Sequence, residues 1–140
     1  MRAPADTGTV CGMTPTDVVN AFIAAVEARD LEAAVRLMAD DVVYDNVPMP
    51  TINGTAGVRE FLGPFIESSS KVEFEVLRQL ADGNTVMNER IDRFFMEAMT
   101  VEIPVVGVWE VEGDKIVLWR DYFDMSMATG GGGASEASPS

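Results

Sequence analysis

The first part of the chain carries apolar residues at helical spacing. Thr14 can cap a helix and Pro15 suits its first turn, after which apolar residues recur every three or four positions up to Arg29. Asp30 begins a second, shorter segment of high helix propensity, with Met38 on its apolar stripe. Two consecutive helices are therefore predicted.

A strand and a third helix are predicted next. Residues 42–47 suit a strand, and Pro48 ends it. The third helix is expected after Thr55. Gly63 and Pro64 lie inside it and are expected to kink or end it, because proline lacks the backbone donor that a helix interior uses.

From Lys71 onward the periodicity changes from helical to alternating. Turn-forming residues at 82–84 and at 113–114 divide this part of the chain. The predicted strands are Lys71 to the turn at 82–84, Thr85 to Met96, Thr100 to Glu112, and Lys115 to Phe123.

Helices followed by a strand meander are typical of an α+β fold. We expect a curved, mixed or antiparallel sheet with about three helices from the N-terminal half on its concave face, and a pocket between the two layers. Residues 14–125 are predicted to form one domain. Residues 1–13 are expected to be a flexible leader, and residues 126–140, rich in Gly and Ser, a disordered tail.

The composition restricts the partners. The 140 residues include 23 acidic and 10 basic side chains, for a net charge of -13, which argues against nucleic acid and anionic membrane surfaces as partners. The sequence has no apolar stretch long enough to span a membrane and no secretory signal, and the single Cys11 excludes an intrachain disulfide. A cytoplasmic location is predicted.

Histidine is absent, which restricts the chemistry. Its absence excludes Ser-His and Cys-His nucleophile pairs and the usual mixed His/Cys zinc sites. An all-carboxylate Mg or Ca site stays possible in principle, but the sequence has no EF-hand or P-loop spacing, and we expect no metal and no cofactor. Acid–base chemistry would have to use carboxylates, tyrosine or lysine.

One acidic residue stands out within the last predicted strand. Val117, Trp119, Asp121 and Phe123 alternate onto one face, so that a carboxylate lies between two aromatic side chains. Aspartate is almost never fully buried without a partner. Asp121 therefore implies a partner elsewhere in the chain.

Arg90 and Asp92 are candidates for that partner. They share one face of the strand 85–96, but both faces of this strand mix polar and apolar residues, so the pair could equally be exposed and contribute little. An arginine between Asp92 and Asp121 would reduce their repulsion and fix their orientation. Tyr44 and Asn46 share a face of the first strand; alone, they fit a core tyrosine and a strand-end turn residue.

Taken together, these pairs resemble the limonene-1,2-epoxide hydrolase family over about residues 14–125. The pairs are Tyr44-x-Asn46, Arg90-x-Asp92 and Trp119-x-Asp121, each on a separate predicted strand. The resemblance implies a cystatin-like, nuclear-transport-factor-2-like α+β cone that is commonly a homodimer. It also implies a cofactor-free enzyme that adds water to a small apolar epoxide and forms a vicinal diol.

The resemblance also implies a role for each polar residue. Asp92 would be the general acid on the epoxide oxygen, Asp121 the general base on water, and Arg90 would hold both carboxyls. Tyr44 and Asn46, with Asp121, would hold the attacking water. The chemistry of the residues alone allows the two aspartate roles to be exchanged, and only the resemblance orders them.

The remaining expectations concern the pocket wall. Phe94 and Phe123 follow the two aspartates by two residues and are expected to line an apolar pocket, while Trp119 could be wall or core. Asp124 is predicted to face away and to be dispensable. An apolar epoxide of the terpene, cyclic alkene or lipid type is expected.

Two other functions stay open at this point. The same fold could support an isomerase or cyclase of the ketosteroid-isomerase, polyketide or polyether type, or a non-catalytic binding and dimerisation module. The Tyr44/Asn46 pair, suited to positioning water, favours hydrolysis. A homodimer is predicted through the convex face of the sheet, around Ile91, Val106 and Val108.

Overall fold

The computed structural model describes residues 13–128 and confirms the predicted α+β class. Its helices are α1 (Pro15–Glu27), α2 (Leu31–Val35) and α3 (Gly54–Ser68). Its strands are β1 (Met38–Asn46), β2 (Ile52–Asn53), β3 (Ser69–Asp82), β4 (Thr85–Met96), β5 (Thr100–Glu112) and β6 (Lys115–Tyr122), followed by a short 3-10 turn at Met125–Met127. Most of the predicted leader and tail lies outside the described residues.

One curved sheet contains all six strands, in the order β2-β1-β6-β5-β4-β3. Neighbouring strands are antiparallel except β1 and β6, which run parallel and make the sheet mixed. The β3–β4–β5–β6 meander is long and the β1–β2 edge short. Strands β1 and β6 thus lie side by side although they are far apart in sequence.

The start of α1 follows the predicted capping pattern. The Thr14 hydroxyl accepts a hydrogen bond from the Asp17 backbone N–H at 3.1 Å, and the Asp17 carboxylate accepts one from the Thr14 N–H at 3.0 Å. This reciprocal pair satisfies two backbone donors at the helix start. It fixes the point at which the chain enters the helical layer.

Two boundaries differ from the prediction by more than two residues. Met38 begins β1 rather than continuing α2, because its backbone pairs with Ile116 in the sheet. Helix α3 is not ended at Gly63 and Pro64 but continues to Ser68. Pro64 is exposed, so water can satisfy the carbonyl that loses its helical donor, while buried Leu62 holds the other face on the sheet.

The helices cover the concave face of the sheet and form the core with it. Phe22 of α1 packs edge-on against Trp109 of β5 and Trp119 of β6, with ring centroids 5.5 and 5.1 Å apart. The two indoles stack on each other at 4.9 Å. Of these three rings, that of Trp119 also borders the pocket.

The concave face of β4 is the one that carries Arg90 and Asp92, which periodicity alone could not decide. Asn88, Arg90 and Asp92 point inward and are buried. On the convex side Val106 is exposed, and Ile91 and Val108 are half-buried. The homodimer through this surface stays a prediction.

Among the described residues, no helix is long and apolar enough to cross a membrane.

Candidate active site

A fully buried arginine joins two buried carboxyl groups on the concave face of the sheet. Arg90 is 0% exposed. Its Nε and Nη2 donate to the two carboxylate oxygens of Asp92 at 2.9 and 2.8 Å, and Nη2 also donates to Asp121 Oδ2 at 3.0 Å. The structure thus brings together the arginine and both aspartates that the sequence singled out.

Arg90 and Asp121 meet across an intervening strand. Strand β5 separates β4 from β6, and its Gly107 pairs with Asn88 on one side and with Asp121 on the other. A Cβ atom at Gly107 would collide with Arg90 Nη1 and come within 2.8 Å of Asp121 Oδ1. The missing side chain is therefore what lets the guanidinium pass over β5.

Asp121 has partners on both of its carboxylate oxygens. Oδ1 accepts a hydrogen bond from the indole Nε1 of Trp119 at 2.8 Å, and Oδ2 accepts the bond from Arg90. Burial, together with the nearby charge of Asp92, raises the pKa of Asp121 to about 6, although Arg90 acts in the opposite direction. The pKa of Asp121 therefore lies close to neutrality.

Tyr44 and Asn46 reach the site through the parallel pairing of β1 with β6. In this register Tyr44 lies beside Trp119 and Asn46 beside Asp121. The Tyr44 ring stacks on Trp119 at 4.2 Å. Burial and the charge of Asp121 raise the pKa of the Tyr44 phenol, which therefore keeps its proton and can donate it in a hydrogen bond.

The Asn46 amide has a donor to spare. Asn46 is buried, and its Nδ2 has no hydrogen-bond partner within the described part of the chain. A buried polar group without a partner is costly, and such groups concentrate at functional sites. Asn46 also lines the cavity, so a ligand or a water molecule bound there could accept this hydrogen bond.

Three residues around Arg90 were missed from the sequence. Asn88 Oδ1 accepts a hydrogen bond from Arg90 Nη1 at 2.9 Å. The rings of Phe74 and Trp109 lie 5.1 and 5.6 Å from the guanidinium carbon, within cation–π distance. Only the alternation of Asn88 with Arg90 on one strand face could have indicated any of them.

A cavity of about 210 Å³ opens above this cluster. Tyr44, Asn46, Asp92 and Asp121 supply its polar side chains. Its remaining lining is apolar: Met49, Phe61, Leu62, Phe65, Phe74, Phe94, Val101, Ile103, Val105, Trp119, Phe123, Met125 and Ala128. The predicted site residues all line this cavity except Arg90, which lies beneath the two aspartates.

The positions of Trp119 and Asp124 agree with the alternation of residues along the last strand. Trp119 is both core and wall, since it is 1% exposed and also borders the cavity. Asp124 is exposed and accepts hydrogen bonds from the backbone N–H and hydroxyl of Ser126, which caps the 3-10 turn. No group of three or more potential metal-ligating side chains occurs within residues 13–128.

Comparisons with known proteins show the family of the chain. A family model described as the limonene-1,2-epoxide hydrolase catalytic domain matches residues 13–129. The chain is 37% identical over 109 residues to epoxide hydrolase EphG of Mycobacterium tuberculosis, covering 76% of this chain and 71% of the relative.

Solved structures give the same family and a wider fold group. A limonene-epoxide-hydrolase-like epoxide hydrolase from M. tuberculosis is 34% identical with a TM-score of 0.69, covering 81% of this chain and 84% of the other. A Catenulispora acidiphila protein with a ketosteroid isomerase-like fold has a TM-score of 0.70 at 19% identity, covering 82% and 90% of the two chains. The second likeness concerns the fold alone.

Proposed function

Since the chain belongs to the limonene-1,2-epoxide hydrolase family and is an epoxide hydrolase, we propose that it adds water to a small apolar epoxide in one concerted step. The product is a vicinal diol, and no covalent intermediate forms. The observation that carries the proposal is the arrangement at the polar end of the cavity. One buried arginine links two buried carboxyls that both face an otherwise apolar space.

The two carboxyls take opposite roles in this reaction. The water oxygen bonds to one epoxide carbon while the bond from that carbon to the ring oxygen breaks. Asp92 gives its proton to the ring oxygen and Asp121 takes a proton from the water. Each turnover thus moves one proton from Asp92 to Asp121, and that proton must return to Asp92 before the next.

The side of the site on which water is held supports this order of roles. Asn46 pairs with Asp121 across the β1–β6 ladder and carries the free Nδ2 donor. Tyr44 stacks on Trp119, which places it near Asp121, and the Tyr44 phenol keeps its proton. A water bound by Tyr44 and Asn46 is therefore positioned for Asp121 to deprotonate, which leaves Asp92 to face the epoxide oxygen.

The hydrogen bonds already present favour acid–base work over nucleophilic attack by a carboxylate. Both oxygens of Asp92 accept hydrogen bonds from Arg90. One oxygen of Asp121 accepts a hydrogen bond from Trp119 and the other accepts one from Arg90. A carboxylate oxygen held in this way is a weaker nucleophile than a free one. Water held by Tyr44 and Asn46 is the better-placed attacking group.

The lining of the cavity indicates the class of epoxide. Apart from the four polar residues the walls are phenylalanine, methionine and aliphatic side chains. Such a wall binds apolar groups by removing their surface from water. We propose an apolar epoxide of the terpene, cyclic alkene or lipid type, with the three-membered ring directed at Asp92 and Asp121.

A panel of cyclic meso-epoxides with chiral analysis of the products tests this function. The expected result is formation of vicinal diol from at least one member, with the two enantiomers in unequal amounts because Asp92 and Asp121 lie on fixed sides of the substrate. A rearranged ketone or an internally cyclised ether without diol would contradict hydrolysis and favour the isomerase or cyclase alternative.

The pH dependence of catalysis follows from the shared proton. The mechanism needs one proton on the Asp92/Asp121 pair, and burial raises the pKa of Asp121 to about 6. Above that pH Asp121 gives up the proton that the two carboxyls share. We therefore expect kcat/KM to fall above about pH 6, by about tenfold per pH unit well beyond it.

Initial rates between pH 5 and 8.5, corrected for uncatalysed opening, check this expectation. A kcat/KM that keeps rising through pH 6 to pH 8 would contradict the need for a retained proton.

A further inference from the structure

Asn88 occupies the side of the arginine that faces away from both carboxyls. It is buried on β4, two residues before Arg90 on the same strand face, and it does not border the cavity. Its Oδ1 accepts hydrogen bonds from Arg90 Nη1 at 2.9 Å and from Trp109 Nε1 at 3.1 Å. Asn88 thus touches the arginine but cannot touch a substrate.

The orientation of the Asn88 amide is fixed from both ends. Arg90 and Trp109 are donors that cannot accept a hydrogen bond, so the amide oxygen must face them. The amide Nδ2 donates to Gln79 Oε1 at 2.9 Å, and Gln79 in turn donates to Asn20 of α1 at 3.0 Å. This chain of amides connects the buried arginine to the helix on the protein surface.

The backbone leaves the guanidinium no support beneath it at this point. Gly107 lies between Asn88 and Asp121 in the same row across β4, β5 and β6. It offers room but no side-chain contact, and Nη1, which donates to neither carboxyl, donates instead to Asn88 Oδ1. Asn88 holds that end of the guanidinium.

We propose that Asn88 is a positioning residue of the site. It turns the Arg90 guanidinium so that the Nε and Nη2 edge faces Asp92 and Asp121. With Nη1 bound to Asn88, Nε and Nη2 are directed to the two oxygens of Asp92, and Nη2 alone reaches Asp121. Arg90 therefore contacts the two carboxyls unequally, with two hydrogen bonds to Asp92 and one to Asp121. The effect on turnover that follows from this inference rests on the proposed function.

Asn88→Asp tests the inference with little change in shape. The new carboxylate keeps an acceptor for Arg90 but competes with Asp92 and Asp121 for its positive charge. We expect the pKa at which the Asp92/Asp121 pair loses its last proton to rise by at least about one unit. The descending limb of kcat/KM should move to higher pH by the same amount, with a lower kcat.

Met87→Asp is the matched control. Met87 neighbours Asn88 on β4, points to the convex face and is 46% exposed. The Met87→Asp variant adds the same negative charge as Asn88→Asp, but in solvent and on the other side of the sheet. We expect it to shift neither the titration of the pair nor the pH profile by more than about 0.3 units, because solvent screens exposed charges.

The titration can be followed without any epoxide. Carboxyl ¹³C shifts of Asp92 and Asp121, assigned with the Asp92→Asn and Asp121→Asn variants, report the proton directly. A folded Asn88→Asp protein that titrates like the parent would overturn the inference. A shifted titration in a protein that hydrolyses no epoxide would support the positioning role and overturn the proposed function instead.

A second variant covers the case in which Asn88→Asp does not fold. Asn88→Ser keeps a small hydroxyl acceptor that is too short to bridge Arg90 and Trp109. We expect the same direction of change, smaller in size. Unchanged titration of the pair and unchanged kcat in folded Asn88→Ser would also overturn the inference.

Discussion

Asp121→Asn is expected to lower kcat/KM by about a hundredfold to ten-thousandfold, which is the usual contribution of a general base. The asparagine keeps the size of the side chain and an acceptor for the Trp119 indole, but it cannot take a proton from water. Because the change is nearly isosteric, the pocket should keep its shape. The measurement is kcat/KM on an epoxide that the parent hydrolyses.

The stability of Asp121→Asn distinguishes a lost base from a lost fold. The pKa of Asp121 is raised from 3.8 to about 6 in the folded protein, so the folded state binds this proton more tightly than the unfolded chain does. Ionising Asp121 therefore lowers the free energy of unfolding as pH rises from about 4 to about 6, and the loss persists above that range. Asp121→Asn removes this cost but leaves one acceptor oxygen for the two donors Trp119 and Arg90, and we expect its melting temperature at pH 7.5 to stay close to that of the parent.

Two companion variants complete this test. Asp92→Asn should abolish turnover as well, because an amide cannot protonate the leaving oxygen. Asp124→Asn, three residues from Asp121 but exposed and outside the cavity, should retain parental activity. Activity in Asp121→Asn within a few-fold of the Asp124→Asn control would refute the assigned base.

Met in place of Arg90 is expected to cause the largest loss of stability. Arg90 compensates two buried carboxylates, and removing one partner of such a buried network typically costs about 3–5 kcal/mol. The loss should be larger at pH 7.5 than at pH 5, because at pH 5 the carboxyls can take up protons in place of the missing cation. Urea unfolding at the two pH values measures the difference.

An exposed arginine provides the control for Arg90→Met. Arg59 pairs with Glu32 at 2.9 Å, but both side chains are about half exposed, so Arg59→Met should cost no more than about 1 kcal/mol at either pH. If Arg90→Met destabilised the protein equally at both pH values, its role would be packing rather than charge compensation. Compared with Arg90→Met, Arg90→Lys should recover part of the stability but little activity, because lysine cannot form the bidentate contact with Asp92.

The strand meander could be predicted closely because its turns depend on residues within the turns themselves. Gly83 and Gly113 adopt positive φ values of 59° and 63°, which glycine allows and other residues avoid. Strand β4 begins and strand β5 ends at the predicted residues for this reason. The continuation of α3 past Pro64 could not be predicted, since it depends on which helix face the sheet covers.

Asp121 could be chosen from the sequence because its carboxylate lies between two aromatic residues, whereas Arg90, Asp92, Tyr44 and Asn46 were chosen only together with it, through the resemblance to the family. The face of β4 that points inward could not be predicted, since both of its faces are mixed. Gly107 and Asn88 were missed because their importance comes from the register of three strands, which local periodicity does not contain. A lone glycine inside a strand pattern was the available signal, as it often marks a close approach of another group.

The central claim is that water attacks the epoxide directly, with Asp92 and Asp121 as acid and base. Single-turnover hydrolysis in ¹⁸O-labelled water, with protein in excess over the epoxide, tests it most directly. Direct attack predicts one ¹⁸O atom in the diol of the first turnover and none in the aspartate carboxyls of the protein. An unlabelled diol in that turnover, with ¹⁸O in Asp92 or Asp121, would show a covalent ester and contradict the account.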